Sequence, residues 1–261
     1  MDDVLGRILK ENTRLVFLPY LVFGYPDVDT FKDLVMAAAD AGADGIEVGI
    51  PHSDPIADGP VIQAATQRVL EQGIRPRDVL VAMEPFAGKL PLVAMTYTNI
   101  VYRYGAQSFG RDFSGAGFMG LIVADCPLEH QDIISPVAEK LSLVQLASTS
   151  TQEERLKKIG KASQGFLYLV SGQGITGRTK VDERRLSQMV AAVRDVSGIT
   201  QCIGFGVDSP QVAAFLGKVA DGVIVGTSLV KFITEHAGKA DLARKFFSYL
   251  SEYRYALDGA L

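Results

Sequence analysis

Glu47 stands in the middle of an apolar run, Gly45-Ile46-Glu47-Val48-Gly49-Ile50, and Asp58 follows eleven residues later in a loop that also holds Pro51, Pro55 and Pro60. If the run is a strand, Ile46, Val48 and Ile50 share one face, and Gly45, Glu47 and Gly49 share the opposite one. An ionised carboxylate buried without partners is costly, or its pKa moves toward neutrality, so a glutamate pointing into a core is rarely there for stability. The pair therefore reads as an active site built on carboxylates. A strand end rising into solvent, with Glu47 merely wet, is the alternative that this segment leaves open.

The elements that must position the pair recur along the chain. Apolar strand-like runs fall at residues 15–23, 45–50, 92–97, 121–125, 143–147, 166–171, 199–204 and 222–226. Helical periodicity lies between them, for example Phe31, Leu34, Val35 and Ala38, and later Leu242, Phe246, Tyr249, Leu250 and Tyr253. Asp29 reads as an N-cap, Ser209-Pro210 as an N-cap followed by proline at the first helical position, and Gly73 as a helix stop. Eight strands alternating with helices, with no linker dividing them, favour a single (β/α)8 barrel over a doubly wound sheet. An internal echo supports this: ADGIEVG at residues 43–49 aligns with ADGVIVG at 220–226, and Gly120-Leu121-Ile122-Val123-Ala124 has the same shape. Buried parallel strands can converge on such patterns. Even so, Glu47 takes the place that Ile122 and Ile224 fill in the other copies.

In a barrel the chemistry sits at the C-terminal ends of the strands, and the loops after strands seven and eight commonly hold a phosphate. Gly204-Phe205-Gly206 and Gly226-Thr227-Ser228 occupy those loops, with glycines that admit an anion close to the backbone and hydroxyls that add donors. Residues 172–177 match GxGxxG after a strand. A dinucleotide-binding turn should open a helix at once, whereas residues 178–182 intervene, so a mobile Gly-rich loop over the barrel mouth fits better.

With 48% hydrophobic and 21% charged residues, a net charge of −4 and no basic run longer than Lys157-Lys158, the chain has no electrostatic footprint for nucleic acid or an anionic membrane. A small-molecule substrate is the default. The first residues are too charged for a signal peptide and no stretch approaches a membrane span, so the cytosol is expected. Cys126 and Cys202 read as reduced, buried thiols, and His52, His130 and His236 match no metal spacing.

The run GIEVGIPHSDPIADGPVIQ, residues 45–63, closely resembles the signature of the tryptophan synthase α subunit family. The resemblance extends over nearly the whole chain. Leu18-Pro19-Tyr20, Met95-Thr96-Tyr97, Val123-Ala124-Asp125, Tyr168-Leu169-Val170-Ser171, Gly174-Ile175-Thr176-Gly177, Gly204-Phe205-Gly206 and Gly226-Thr227 all fall in the family's order. It implies an α/β fold, a single (β/α)8 TIM barrel with an extra N-terminal helix, as one domain over residues 1–261. It also implies a lyase that cleaves indole-3-glycerol phosphate to indole and glyceraldehyde 3-phosphate in the last steps of L-tryptophan biosynthesis. The chain would carry no metal or organic cofactor of its own. It would pass indole through a tunnel to a pyridoxal-phosphate β subunit in an α2β2 heterotetramer, in the cytoplasm or, in a plant, the plastid stroma.

By the same resemblance Glu47 is the general acid and base, with a pKa raised toward neutrality, and Asp58 stays ionised and accepts the indole N–H. Thr176 holds Asp58 when the loops close. Tyr20, Tyr97, Ile122, Leu146, Tyr168 and Phe205 line the indole pocket, with ordinary core packing as the alternative for any one of them. Gly177, Gly206, Gly226 and Thr227 form the phosphate site. Three departures from the family pattern stand out. His52 replaces a Phe or Tyr beside a loop that faces the β subunit; Gly172 replaces an Arg that steadies the closed loop in some members, with Arg178 six residues on; and Thr98-Asn99-Ile100 follows strand three where many members have Asn-Pro. A stand-alone indole-releasing lyase, and a catalytically weak α subunit that mainly activates its partner, are the alternative functions.

Overall fold

Eight parallel strands close into a barrel in chain order, with the last paired back to the first, in a computed structural model that describes residues 3–170 and 183–260. The strands are β1 (Val16–Val22), β2 (Ile46–Gly49), β3 (Leu92–Thr96), β4 (Phe118–Val123), β5 (Ser142–Ser148), β6 (Phe166–Val170), β7 (Thr200–Gly204) and β8 (Gly222–Val225). The helices are α1 (Val4–Lys10), α2 (Val28–Asp40), α3 (Pro60–Glu71), α4 (Pro76–Met83), α5 (Thr98–Tyr104), α6 (Ala106–Gly115), α7 (Glu153–Ala162), α8 (Glu183–Arg194), α9 (Pro210–Gly217), α10 (Thr227–His236) and α11 (Leu242–Asp258). Each expected strand is present. The fourth begins three residues earlier than its apolar run, because Phe118 and Met119 join the strand across Gly120, which interrupts the apolar pattern.

Local chemistry sets the helix ends. Ser209 caps α9, its side chain accepting from the Val212 amide, with Pro210 at the first helical position, and Gly73 at φ +78° follows the end of α3. The cap of α2 is Asp27, not Asp29. Asp27 is the extended residue before the helix, and its carboxylate accepts from the Thr30 amide at 2.9 Å; Asp29 already lies in the first turn. On α11, Leu242, Phe246, Leu250 and Tyr253 are buried as the periodicity requires, and Tyr249 is half-buried beside them.

Register places the echo residues on one face. Tyr20 pairs with Glu47 and Leu18 with Ile224, while Glu47 pairs with Val93 and Val93 with Gly120, which has the parity of Ile122. Registered partners in parallel strands share a face, so Glu47, Ile122 and Ile224 all point into the barrel. The N-terminal helix closes the opposite end. Leu5 of α1 fills the space left by Gly120 and Gly165, where an added Cβ would stand 2.6 and 2.7 Å from its Cδ2. Asp3 caps α1 through the Gly6 amide at 2.9 Å and ties it to the barrel by accepting from Ser142 Oγ and the Gly165 amide, both at 2.7 Å. Residues 171–182, including Ser171, Gly172, Gln173, Gly174, Thr176, Gly177 and Arg178, lie outside the described residues. No helix among the described residues is long and apolar enough to cross a membrane.

Leu5 is fully buried. Truncating it leaves a cavity under the barrel floor, so Leu5→Ala should lower the unfolding free energy by roughly 2–5 kcal/mol, read as a lower urea midpoint with an unchanged slope.

Candidate active site

Glu47 is 1% exposed, and neither carboxylate oxygen has a hydrogen-bond partner among the described residues. The solvent-exposed alternative for this residue therefore fails. Burial pushes its pKa up from 4.5 to about 8, and the charge of Asp58 adds to the shift. Asp58 lies in the loop between β2 and α3 and is 7% exposed. Its Oδ2 accepts a hydrogen bond from the Tyr97 hydroxyl at 2.9 Å. Burial raises the Asp58 pKa to about 6, against the opposing effect of that hydrogen bond.

Tyr97 follows β3 and links it to the loop that carries Asp58. Its phenol oxygen also accepts from the Ala57 amide at 3.3 Å, so one hydroxyl fixes both the Asp58 carboxylate and the backbone beside it. The ring of His52, from the same loop, packs against the Tyr97 ring with centroids 5.0 Å apart. Thr98, the first residue of α5, donates to Asp125 Oδ1 in the loop after β4, from its amide at 2.7 Å and from its hydroxyl at 2.8 Å, which secures the start of that helix.

Tyr20 and Tyr168 complete the buried cluster. Each has a glycine beside it: a Cβ on Gly49 would collide with the Tyr20 hydroxyl, and a Cβ on Gly204 with that of Tyr168. Burial first, and then the two carboxylates, push both phenol pKa values well up, so both tyrosines remain protonated. Ile122 is buried and Leu146, paired with Tyr168, is half-buried. Phe205 is 40% exposed, edge-on to Tyr168 with centroids 6.4 Å apart, and its φ of 66° is unusual for a residue with a side chain.

Gly206, at φ +74°, follows Phe205, while Gly226 precedes α10 and the exposed Thr227 opens that helix. Free amides at a helix start, flanked by glycines, suit an anion. Two of the expected residues, Thr176 and Gly177, lie outside the described residues. Among the described residues, no group of three or more His, Cys, Asp or Glu side chains could hold a metal ion. Cys202 is buried as expected, but Cys126 is only half-buried, because it sits in the loop after β4, where its Sγ contacts the His130 carbonyl at 3.5 Å. Two clefts of about 400 and 410 Å³ lie elsewhere, between α7 and α8 and beneath the barrel floor; neither includes Glu47, Asp58 or the glycine loops.

Two features were not apparent from residue types alone: the Tyr97 hydroxyl as the support of Asp58, and Gly49 and Gly204 as space for phenols. The signal for the glycines was their parity: Gly49 and Gly204 each lie two residues beyond the strand position paired with the tyrosine, Glu47 with Tyr20 and Cys202 with Tyr168.

A family model described as tryptophan synthase alpha chain matches residues 7–256. The chain belongs to the tryptophan synthase alpha chain family. A tryptophan synthase alpha chain of Synechococcus is 38% identical over 255 residues, covering 96% of this chain and 94% of the relative. That of Thermoanaerobacter pseudethanolicus is 36% identical over 248 residues, covering 94% and 95%. Among solved structures, tryptophan synthase of Mycobacterium tuberculosis superposes with a TM-score of 0.88 at 36% identity, with 98% of each chain covered. The tryptophan synthase subunit alpha of Legionella pneumophila gives 0.88 at 32% identity, with 99% of each covered.

The geometry of this family member makes two predictions. Tyr97→Phe removes the hydrogen bond that favours ionised Asp58, so the Asp58 titration followed by 13C NMR should move above about 6; no upward movement would contradict the role assigned to the phenol. Folded Glu47 holds its proton up to about 8, whereas an unfolded glutamate releases it near 4.5, so stability is drawn away as pH rises through that window. Glu47→Gln should therefore gain stability relative to the parent protein between pH 5 and pH 8 in urea titrations.

Proposed function

We propose that Glu47 and Asp58 together carry the α reaction of tryptophan synthase, the cleavage of indole-3-glycerol phosphate to indole and glyceraldehyde 3-phosphate. The observation behind this reading is the asymmetry of the two carboxyls. Near pH 7 a group titrating at about 8 holds a proton and one titrating at about 6 has lost it. Such a pair supplies an acid and a fixed negative charge in one pocket.

The cleavage is a retro-aldol. Glu47 delivers its proton to carbon 3 of the indole ring, and positive charge develops at the ring nitrogen. Ionised Asp58 accepts the N–H and stabilises that charge, as a preorganised group in a dry site can. Glu47, now a carboxylate, takes the proton of the glycerol hydroxyl next to the ring. The carbon–carbon bond then breaks, its electron pair restores the aromatic ring, and the hydroxyl carbon leaves as the aldehyde. One proton is given and one is recovered, so Glu47 ends as it began.

The indole is assigned to the pocket of Tyr20, Tyr97, Ile122, Leu146, Tyr168 and Phe205. The phosphate is assigned to Gly206, Gly226 and Thr227, with Gly177, and Thr176 to holding Asp58 in the closed state. The family works with a β subunit, and pyridoxal phosphate belongs to that partner. An α2β2 assembly in the cytoplasm, with indole handed on within it, is the setting proposed here.

Steady-state cleavage of indole-3-glycerol phosphate, with and without a β subunit, tests the reading. Addition of the β subunit should raise the rate ~10-fold or more, within the usual range of coupling between sites; equal rates would favour a stand-alone lyase. Glu47→Gln should lower kcat by at least ~10²-fold with KM nearly unchanged. The rate should peak between about 6 and about 8, falling on the acid side as Asp58 is protonated and on the alkaline side as Glu47 loses its proton.

A further inference from the structure

The loops after β7 and β8 are joined by a chain of hydroxyls rooted in the C-terminal helix. Ser228, the second residue of α10, is buried, and its Oγ donates to the Val207 carbonyl at 3.2 Å. Val207 directly follows Gly206. The Tyr253 hydroxyl on α11 donates to Ser228 Oγ at 3.2 Å, and the Tyr249 hydroxyl lies 3.3 Å from that of Tyr253. Tyr253 is itself fixed: it is fully buried and its ring stacks on Phe17 of β1, with centroids 6.0 Å apart and planes 13° apart.

The order of donors matters. Because Tyr253 occupies a lone pair of Ser228, the serine proton is left for the Val207 carbonyl. A carbonyl oxygen free to turn toward the mouth would face phosphate oxygens and repel them. Bonded to Ser228, it is held back, and the hydroxyl links Val207, next to Gly206, to the helix that Gly226 precedes and Thr227 opens.

We propose that Ser228 and Tyr253 are positioning residues for the phosphate subsite, holding the two glycine loops in the spacing that grips the substrate phosphate. The proposal rests on the assignment of that subsite made above. Neither residue is placed on the reacting atoms, so their loss should weaken binding and leave the chemical step intact.

The test uses the full chain with its β subunit, in Ser228→Ala, Tyr253→Phe and Ser228→Thr forms. Loss of one hydrogen bond should raise both KM for indole-3-glycerol phosphate and the inhibition constant of inorganic phosphate about 3- to 10-fold. The kcat should stay within about twofold of the parent value, as expected when binding alone is lost. Ser228→Thr, which keeps the hydroxyl, should restore both constants. A purely structural role would lower Tm without moving either constant, and that result, or a fall in kcat at constant KM, would overturn the proposal. Competition by inorganic phosphate in the parent protein separates the two levels. If phosphate does not compete with substrate, the phosphate assignment itself fails; if it competes with an unchanged constant in Ser228→Ala, only the positioning role fails.

Discussion

The cost of placing one carboxyl group inside a closed barrel governs this site. Glu47 faces inward, and among the described residues no donor reaches either of its oxygens. A charge there is penalised by the loss of water and by the charge of Asp58, so the group keeps its proton up to about pH 8. A protonated carboxyl at neutral pH is an acid ready to act. Any donor placed against Glu47 would stabilise the anion and remove that readiness. The lack of a partner among the described residues thus fits the acid role proposed for Glu47.

Asp58, close enough for its charge to act on Glu47, follows a different rule. It too is pushed up by burial, but the Tyr97 hydroxyl opposes the shift and leaves it ionised when Glu47 is not. The difference originates in two structural settings. Glu47 projects from a strand held on both sides by neighbours, so it cannot move toward a donor. Asp58 rides on a loop, where a phenol from the next strand can reach it. Tyr20 and Tyr168 add bulk without adding charge, because their phenols stay protonated in the space that Gly49 and Gly204 leave open.

Much of this was legible in the chain. Buried parallel strands in a barrel are nearly continuous apolar runs, so all eight appeared as such, and a charge among them stood out at Glu47. Asp27 and Asp29 illustrate what was not legible. Both are acidic residues near a helix start, and only the extended backbone at Asp27 decides which of them caps it. The Ser228 relay was hidden for a related reason. Val207, Ser228 and Tyr253 are far apart in sequence, and a serine, a tyrosine and a backbone carbonyl carry no spacing signal until the barrel brings them together. The floor of the barrel was hidden likewise, since the pairing of Leu5 with Gly120 and Gly165 is a matter of shape and not of periodicity.

The two ends of the barrel divide the demands of stability and function. At the floor, Arg254 on α11 donates to the Leu15 carbonyl at 2.9 Å and to Asp44 Oδ2 at 3.2 Å, while Asp44 accepts from the Phe17 amide at 2.9 Å. Together with Asp3 and Leu5, these contacts fasten the first strand and both terminal helices. At the mouth, a carboxyl without a hydrogen-bond partner among the described residues and the left-handed Phe205 are both unfavourable by local rules. Local rules fail most often at functional sites, where surrounding structure must hold what isolated residues would avoid. Phe17 belongs to both regions. Its amide is fixed by Asp44 at the floor, and its ring stacks on the tyrosine whose hydroxyl steadies the loops at the mouth. The strand and helix that Asp44 and Arg254 fasten at the floor are thus the same elements that carry the proposed support of the mouth, so rigidity built at one end is available at the other.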